Sequence, residues 1–396
     1  MNSINNISFK GKRALIRTDF NIPLDRNNNI SDNTRIVSSL PTIKHVLSKG
    51  GSCILVSHLG RPKGFDSKLS LKIVQHELEE LLDQEVKFLS DYNNKSAIEF
   101  CSKLKDGDVV LLENIRFYPE EINSDELFAK QLSSFADIYI NDAFGTSHRK
   151  HSSTFAVAKY FNKKCPGILL QKEIHSINKV LSGPEKPVTA IIGGAKVSSK
   201  ISVILNILKV VDNLIIGGGM AYTFIKSKGG EIGDSIFEKD LLSACQEIII
   251  SAKKKNVNVF LPSDVVASEN FSDSAKKTTV KIDKIPNGWQ GLDIGPKTRN
   301  QFSKIILESN TILWNGPMGV FEMSSFEKGT SAVASAVASA TSKGAFSLVG
   351  GGDSIAALKK FNLLKSISYI STGGGAMLES LEGKTLPGIN ALRDKL

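Results

Sequence analysis

The stretch "VTAIIGGAKVSSK", residues 188–200, decides the fold because it passes from apolar residues to glycines and then to polar and charged residues. An apolar run typical of a buried strand ends at Gly193 and Gly194, and Lys196 and Lys200 follow in a segment that reads as the start of a helix. The P-loop spacing G-x-x-x-x-G-K-[ST] is absent. The stretch therefore predicts a strand, a turn and a helix. The turn is either a phosphate site of another design or only a tight connection.

The same alternation of strand and helix extends through the 396 residues. Strands are predicted at "RALIRTD", "CILVSH", "VKFL", "VVLLEN", "DIYIND", "VTAIIGG", "NLIIGGG", "VNVFLPSD", "TILWNGP", "FSLVGGGD" and "SYISTGGG". Helix-period segments such as "LKIVQHELEELLD" lie between them, which indicates parallel sheets covered by helices on both faces. So many strands exceed one sheet, and "LSGPEKPVT", 181–189, marks the break. We expect two α/β domains joined near 170–187.

Composition favours a soluble globular protein, with 41% apolar and 23% charged residues. The four cysteines show no C-x-x-C spacing, which argues against a zinc site or a redox pair and favours a reducing compartment. The N-terminal "MNSINNISFKGKR" lacks the apolar core of a signal peptide, and no apolar run approaches the roughly 20 residues that span a bilayer. We expect a cytoplasmic protein with no membrane partner.

The net charge of +10 raises the question of a polyanionic partner. The longest basic run, 253–255, has no interleaved aromatic residues and reads as a solvated helix face, so no nucleic-acid partner is expected. A non-catalytic nucleic-acid-binding protein nevertheless stays open as one alternative. A nicotinamide oxidoreductase is another, because "IIGGGMAYTF" resembles a dinucleotide loop, although G-x-G-x-x-G is not satisfied there.

The strand ends of the first half carry charged and polar side chains. Seven of the nine arginines lie in the first 149 residues. Arginine suits the bidentate capture of phosphate and carboxylate, and ligands of open parallel sheets bind at the carboxyl ends of the strands. Each residue alone would read as a surface ion pair or a structural hydrogen-bonding group. Together they predict a site for a small acid with more than one anionic group: Asp19, Asn21, Arg35, His58, Arg61, Arg116, His148 and Arg149.

The strand ends of the second half carry glycine instead, in "GGAK", "GGGM", "NGPMG", "GGGD" and "TGGG". Glycine lets the backbone approach a ligand, and a helix start offers free N–H groups to phosphate. Lys196 and Lys200 lie four residues apart near such a start, which is unfavourable without an anion. Asp353 and Glu322 each suggest a magnesium ligand or a ribose contact, with a helix cap or a surface charge as the alternative. This half predicts a nucleotide site.

Long motifs in a fixed order make the chain resemble the phosphoglycerate kinase family along nearly its whole length. They include "RTDFNIP", "SHLGRP", "ENIRF", "FADIYINDAFGTSHR", "GGAKVSSK", "GGGMAYTF", "GLDIGP", "WNGPMGVFE", "GGGDS" and "STGGGA". The resemblance implies an α/β fold of two doubly wound, Rossmann-like lobes separated by a cleft and joined by a hinge helix. It implies a 3-phosphoglycerate-binding domain at 1–170, a hinge at 171–187, a nucleotide-binding domain at 188–375, and a segment at 376–396 that returns to the first lobe.

The resemblance also implies an activity: reversible, magnesium-dependent phosphoryl transfer between ATP and 3-phosphoglycerate, giving ADP and 1,3-bisphosphoglycerate, by a monomer. The triose would be held by Asp19, Asn21, Arg35, His58, Arg61, Arg116 and Arg149. The nucleotide would be held by Lys196, Lys200, Gly217, Gly218, Gly291, Asn315, Glu322, Gly351, Gly352, Asp353 and Ser354, with Asp353 at the metal. Charge on the moving phosphoryl group would be neutralised by Arg35, Lys196, Lys200 and the backbone at Gly373 and Gly374. No general base is expected, since the acceptor is already a carboxylate.

Two positions depart from the family pattern near these residues. Lys150 stands where the family usually has a small residue, and it adds a positive charge beside Arg149. Ser199 stands where an acidic residue is common, which leaves Lys196 and Lys200 with one fewer nearby anion. Neither change removes a residue assigned to the chemistry, so we expect an active enzyme with altered charge around both substrates.

Overall fold

The structure is a computed structural model that describes Met1 and residues 3–393. Its contacts divide the chain into two units. Unit 1 comprises Met1–Ile174 together with the C-terminal segment that begins at Thr385, and unit 2 comprises His175–Lys384. Within the described residues, no helix is both long and apolar enough to cross a membrane.

Unit 1 is built on a six-stranded parallel sheet in the order β3-β4-β2-β1-β5-β6. Its strands are β1 (Arg13–Arg17), β2 (Ser52–Val56), β3 (Val86–Leu89), β4 (Val109–Leu112), β5 (Ile138–Asn141) and β6 (Lys164–Pro166). Its helices are α1 (Thr34–Ser48), α2 (Lys72–Leu82), α3 (Lys95–Ser102), α4 (Pro119–Ile122) and α5 (Glu126–Ser133), and α6 (Ile168–Leu181) runs from unit 1 into unit 2. Every residue of β2, β4 and β5 is buried, as expected where helices cover both faces of a parallel sheet.

Unit 2 repeats this design with a six-stranded parallel sheet in the order β10-β8-β7-β15-β16-β17. Its strands are β7 (Val188–Ile192), β8 (Asn213–Ile216), β9 (Glu231–Ile232), β10 (Asn258–Phe260), β11 (Asp264–Ser268), β12 (Lys277–Lys281), β13 (Lys284–Ile285), β14 (Gln290–Ile294), β15 (Thr311–Asn315), β16 (Phe346–Val349) and β17 (Tyr369–Ile370). Its helices are α7 (Ile201–Ile207), α8 (Met220–Ser227), α9 (Leu242–Lys254), α10 (Pro296–Leu307), α11 (Lys328–Ser342), α12 (Gly352–Lys360) and α13 (Gly374–Leu381). A last helix, α14 (Pro387–Asn390), belongs to unit 1.

The predicted α/β class with two parallel sheets is confirmed, and each strand named from the sequence is present. The antiparallel sheet β12-β11-β14 in unit 2 was missed. Its strand β12, "KTTVK", is mostly exposed, so it shows neither an apolar run nor a clear alternation. A sheet that is solvated on one face carries a weaker sequence signal than a doubly covered one.

Candidate active site

The strand order of each unit reverses beside its first strand, and ligands of open α/β sheets bind at such a reversal. In unit 1 the reversal lies between β1 and β5, which pair directly. In unit 2 it lies between β7 and β15, which also pair directly. The loops that follow these four strands contain "TDFN", "DAFGTSHR", "GGAK" and "GPMG", so the sequence motifs lie at both reversals.

A cluster of charged side chains forms at the reversal of unit 1, with Asp19 at its centre. The guanidinium of Arg35 donates from Nη1 to Asp19 Oδ2 at 2.7 Å. His58 Nδ1 lies 4.0 Å from Asp19 Oδ1, and the backbone N–H of Asn21 donates to the same oxygen at 3.3 Å. Three of the sequence-predicted side chains therefore lie together, and the carboxylate of Asp19 orients the cation of Arg35.

Arg17 is a member of this cluster that the sequence reasoning missed. Its side chain is fully buried, its Nη2 lies 3.3 Å from His58 Nδ1, and its Nε donates to Ser153 Oγ at 2.7 Å. Ser153 in turn donates to the buried carboxylate of Glu121 at 2.7 Å. The sequence did contain a signal for this role: Arg17 ends the run "RALIR" of a predicted buried strand, and a buried arginine needs a partner or a ligand.

Burial lowers the pKa of His58 well below its usual value, and the positive charges of Arg17, Arg116 and Arg35 lower it further. His58 is therefore neutral at physiological pH. A neutral imidazole offers one donor and one acceptor without adding positive charge. The cluster thus obtains its positive charge from arginine rather than from histidine.

Arg116 lies beside the same cluster, held by the loop after β2. Its Nη1 donates to the carbonyl of Gly60 at 2.6 Å, and the Gly60 N–H donates to Asn21 Oδ1 at 2.8 Å. Burial, followed by the charges of Arg17 and Arg149, lowers the pKa of Arg116 to about 10. Its buried Nε has no hydrogen-bond partner among the described residues. A protonated guanidinium among other cations with an unused donor favours an anionic ligand.

Two further predicted residues lie at the surface of unit 1. Arg61 follows Gly60 and is exposed. Arg149 is also exposed, and its charge reaches Arg116. Next to it, the exposed Lys150 lies 5.9 Å from the centre of the Phe155 ring. Arg149 thus adds positive charge near Arg116, and among the described residues none of these three cations has a hydrogen bond to a carboxylate.

At the reversal of unit 2 the structure contains a cavity of about 320 Å³. We call it the glycine cavity. It is lined by Gly193, Gly194, Ala195, Lys196, Ser199, Lys200, Asn315, Gly316, Gly351, Gly352, Asp353 and Ser354. Seven of the predicted nucleotide residues therefore lie around one space: Lys196, Lys200, Asn315, Gly351, Gly352, Asp353 and Ser354. Gly193, Gly194 and Gly316 also line the cavity; the predicted motifs "GGAK" and "NGPMG" contain them, although they were not named as individual site residues.

Hydrogen bonds fix the walls of the glycine cavity. Lys200 Nζ donates to Asn315 Oδ1, and Asn315 Nδ2 donates to the carbonyl of Gly350 at 2.8 Å. The N–H of Gly316 donates to Ser354 Oγ at 2.7 Å. Burial lowers the pKa of Lys200, while the nearby Asp353 carboxylate opposes that shift. A partly buried ammonium whose charge is not fully balanced is suited to binding phosphate.

Close backbone contacts explain why these turns need glycine. A Cβ on Gly193 would lie 2.2 Å from the Pro317 carbonyl oxygen. Gly218 has φ +67°, and a Cβ there would lie 2.7 Å from both the N and the O of Gly194. Three strand-end turns thus pack backbone against backbone, and the N–H groups of Gly193 and Gly194 take part in this packing by donating to the carbonyls of Asn315 and Pro317, each at 3.0 Å.

The remaining predicted residues of unit 2 lie outside the lining of this cavity. Gly217 packs against Met318, because a Cβ there would lie 2.3 Å from its sulfur. Gly291 lies on β14, and its N–H donates to Ser235 Oγ at 2.9 Å. The others are Glu322, which is exposed, and Gly373 and Gly374, which lie at the start of α13. Gly218 touches the cavity's Gly194 without lining the cavity.

Asp353 fits a magnesium ion that arrives with a nucleotide. Its exposed carboxylate lies on the first turn of α12 and lines the glycine cavity with Lys196 and Lys200. Magnesium bound to nucleotides commonly takes one or two carboxylates from the protein and its other ligands from phosphate and water. Over the residues that the structure describes, no group of three or more His, Cys, Asp or Glu side chains is arranged to hold a metal.

Comparison with known proteins identifies the family. A family model described as phosphoglycerate kinase matches residues 4–384. A protein from Prosthecochloris aestuarii named phosphoglycerate kinase is 49% identical over 393 residues, which cover 99% of each chain. The chain belongs to the phosphoglycerate kinase family.

Further relatives agree with this family. A protein from Nicotiana tabacum named cytosolic phosphoglycerate kinase is 47% identical over 99% of this chain and 98% of its own. The solved phosphoglycerate kinase from Coxiella burnetii is 41% identical and has a TM-score of 0.91, with 98% of each chain covered. The resemblance stated from sequence motifs is therefore confirmed. The protein is a phosphotransferase of the glycolytic kinase type, which contradicts the oxidoreductase alternative and the alternative of a protein without catalysis.

Proposed function

We propose that this phosphoglycerate kinase family member transfers the γ-phosphoryl group of ATP reversibly to the carboxylate of 3-phosphoglycerate, giving ADP and 1,3-bisphosphoglycerate. The observation that carries the proposal is the pairing of two anion sites of different construction. One is the arginine cluster around Asp19 in unit 1, and the other is the glycine cavity in unit 2. Transfer between two anionic substrates needs both.

In unit 1, the proposed ligand is 3-phosphoglycerate. Asp19 orients Arg35 toward the acceptor carboxylate, while Arg116, Arg61 and Arg149 hold the phosphate. Neutral His58 and Asn21 offer hydrogen bonds to the hydroxyl and carboxylate oxygens. The unused Nε of Arg116 supports this assignment, because a bound anion would satisfy that donor.

In unit 2, the proposed ligand is the nucleotide with its magnesium ion. Lys196 and Lys200 hold the phosphates, the 351–354 loop supplies backbone N–H groups and the Asp353 carboxylate, and Gly217, Gly218, Gly291 and Glu322 contact the nucleoside. When bound, magnesium would neutralise charge on the phosphates. Arg35, Lys196, Lys200 and the N–H groups of Gly373 and Gly374 would stabilise the charge of the moving phosphoryl group. No side chain has to remove a proton, because the acceptor is ionised.

A coupled assay tests this function. The protein is supplied with ATP, magnesium and 3-phosphoglycerate, and glyceraldehyde-phosphate dehydrogenase converts the product while NADH loss is followed. We expect turnover that depends on all three additions. A rate equal to that of a blank without the protein would overturn the proposal. Calorimetric titration of each substrate alone gives a second measurement, in which Lys200→Met weakens ADP binding and leaves 3-phosphoglycerate binding unchanged.

Three finer expectations stay predictions under this proposal. Closure of the two units around both substrates is implied by the resemblance and would exclude water from the reaction. A monomer of 42.9 kDa would be checked by light scattering after gel filtration. Cytoplasmic location agrees with the name of the tobacco relative and would be checked by fractionation of the source cells.

A further inference from the structure

Residues 235–238 of unit 2 contact three separate parts of the proposed nucleotide site. Ser235 Oγ accepts the N–H of Gly291 at 2.9 Å, and Glu238 Oε2 accepts the N–H of Ser198 at 3.0 Å. Between them, Ile236 packs on the glycine turn after β8, since a Cβ on Gly219 would lie 3.0 Å from its Cγ2. A segment of four residues therefore joins β14, the 217–219 turn and the turn that bears both lysines.

The backbone of Glu238 is anchored to helix α8. Its own backbone N–H donates to Thr223 Oγ1 at 3.2 Å, and Thr223 is buried in α8. The N–H that Glu238 accepts belongs to Ser198, which lies midway between Lys196 and Lys200 in sequence. The bond therefore fixes the centre of the lysine-bearing turn from a point 40 residues away in sequence.

The charge of Glu238 also acts on this turn. Partial burial raises the pKa of the Glu238 carboxyl, but hydrogen bonds from Ser198 and Val197 and the charge of Lys196 lower it by more. The net shift is downward, so the group is ionised at neutral pH. Ser199, where the family commonly has an acid, donates its hydroxyl to the Lys196 carbonyl and carries no charge.

We propose that Glu238 is a positioning residue for phosphoryl transfer, which holds the 196–200 turn through Ser198 and supplies beside Lys196 the negative charge that Ser199 lacks. This inference rests on the proposed role of Lys196 and Lys200 as phosphate ligands. Glu238 does not touch the reacting atoms. It acts by keeping the turn in one conformation and by limiting the positive charge of the empty site.

The hydrogen bond and the charge can be separated by two substitutions. Glu238→Gln keeps an acceptor for Ser198 N–H and removes the charge. We expect kcat within about threefold of the parent and a KM for MgATP lowered about two- to fivefold, because one nearby anion is gone. Glu238→Ala removes both features, and we expect kcat to fall about tenfold or more as the turn loses its anchor.

Matched variants make the result specific. Asp240→Asn removes one negative charge from an exposed position two residues away, and it should leave kcat and KM unchanged. Ser199→Asp combined with Glu238→Gln returns a carboxylate to the turn and should bring the KM for MgATP back toward that of the parent. Urea unfolding followed by circular dichroism reports whether unit 2, which carries all these substitutions, is folded in each variant.

The outcomes test the positioning role of Glu238 separately from the proposed phosphate site of Lys196 and Lys200. Loss of nucleotide binding in Lys196→Met with parental kinetics in both Glu238 variants would overturn the positioning role alone. Parental nucleotide binding in Lys196→Met and Lys200→Met would overturn the proposed phosphate site on which it rests. If Glu238→Ala fails to fold, Glu238→Gln still decides, because a KM for MgATP equal to that of Asp240→Asn would contradict the role of the charge.

Discussion

The two anion sites use opposite means to bind phosphate. In unit 1, long charged side chains converge and hold one another, as Asp19 holds Arg35 at 2.7 Å and Arg17 approaches His58 at 3.3 Å. In unit 2, the backbone itself forms the walls, and turns such as Gly193 and Gly218 approach neighbouring main chains too closely for any Cβ. Only two lysines and one aspartate bring charge to the lining of that cavity.

This difference predicts how each site fails. A site of side chains loses function when one charge is removed, while the fold survives, because an arginine at the surface adds little to stability. A site of packed backbone loses function when its shape is disturbed, because the same close contacts hold the turns and the fold together. Substitutions in unit 1 should therefore lower activity more than stability, and substitutions at the packed glycines of unit 2 should lower both.

The largest effect is expected from Arg35→Ala. The guanidinium would neutralise charge that develops during transfer, and loss of one such donor commonly lowers the rate about 100- to 1,000-fold. The side chain is one-third exposed, so the free energy of unfolding should change by about 1 kcal/mol. Steady-state kcat and urea unfolding measure the two quantities.

Arg26→Ala serves as the control for Arg35→Ala. Arg26 is an exposed arginine of the same unit, and its removal should leave kcat within about twofold of the parent. Turnover of Arg35→Ala equal to that of Arg26→Ala would remove Arg35 from the catalytic residues. It would also weaken the contrast between the two sites, since unit 1 would then not depend on single charges.

Gly193→Ala should show the reverse behaviour. The added methyl group would lie 2.2 Å from the Pro317 carbonyl oxygen, and the backbone must move to relieve that contact. We expect a loss of about 3 kcal/mol in the free energy of unfolding, together with loss of nucleotide binding. Urea unfolding and calorimetry with MgADP would measure both.

Gly352→Ala is the matched comparison, because nothing lies within 4 Å of a Cβ at that position. Its stability should equal that of the parent, while MgADP should bind more weakly if phosphate oxygens occupy the space at the start of α12. A parental affinity for MgADP would show that the ligand does not approach Gly352. Equal stabilities of Gly193→Ala and Gly352→Ala would instead contradict the packing argument.

The same contrast explains how much the sequence alone could predict. Local sequence patterns reveal the apolar strands and the glycine-rich turns that follow them. Both parallel sheets and the lysine-bearing turn were therefore predicted. Arg17 was missed because its role depends on a contact with His58, 41 residues away. Glu238 was missed because it reaches Ser198 across 40 residues of chain, which no local pattern reports. The residues that were predicted stand in local sequence motifs, whereas the residues that were missed act through contacts between distant parts of the chain.

Both units contain a buried carboxyl group with a raised pKa, so the pH dependence of stability tests a feature that the two units share. Asp142 in unit 1 accepts the Leu170 N–H at 3.1 Å, and burial raises its pKa to about 6. Asp293 in unit 2 accepts the Gly329 N–H at 2.7 Å, and burial raises its pKa to about 7. In each case the folded protein retains a proton that the unfolded chain releases near pH 4.

The contribution of these two carboxyls to stability should therefore fall as the pH rises from 4 to 7. At each of them the folded state binds more protons than the unfolded state in this range, so their share of the free energy of unfolding decreases with pH. For Asp142 the loss is at most about 3 kcal/mol, at about 1.4 kcal/mol for each pH unit between the two pKa values. In urea unfolding, the free energy of unfolding of Asp142→Asn and of Asp293→Asn, taken relative to the parent, should rise with pH across this range. Parallel slopes would show that these carboxyls ionise freely in the folded protein.

The smallest expected effect concerns Lys150, an exposed cation that follows Arg149 in sequence. The residue is exposed beside Arg149, and an exposed charge contributes less than about 1 kcal/mol to the binding of an anion. Lys150→Ala should raise the KM for 3-phosphoglycerate about two- to fivefold and leave kcat unchanged. The difference should vanish at about 0.5 M salt, where such interactions are screened. Lys130→Ala, on α5, removes the same charge elsewhere in unit 1, and an equal rise in KM there would assign the effect to net charge rather than to position.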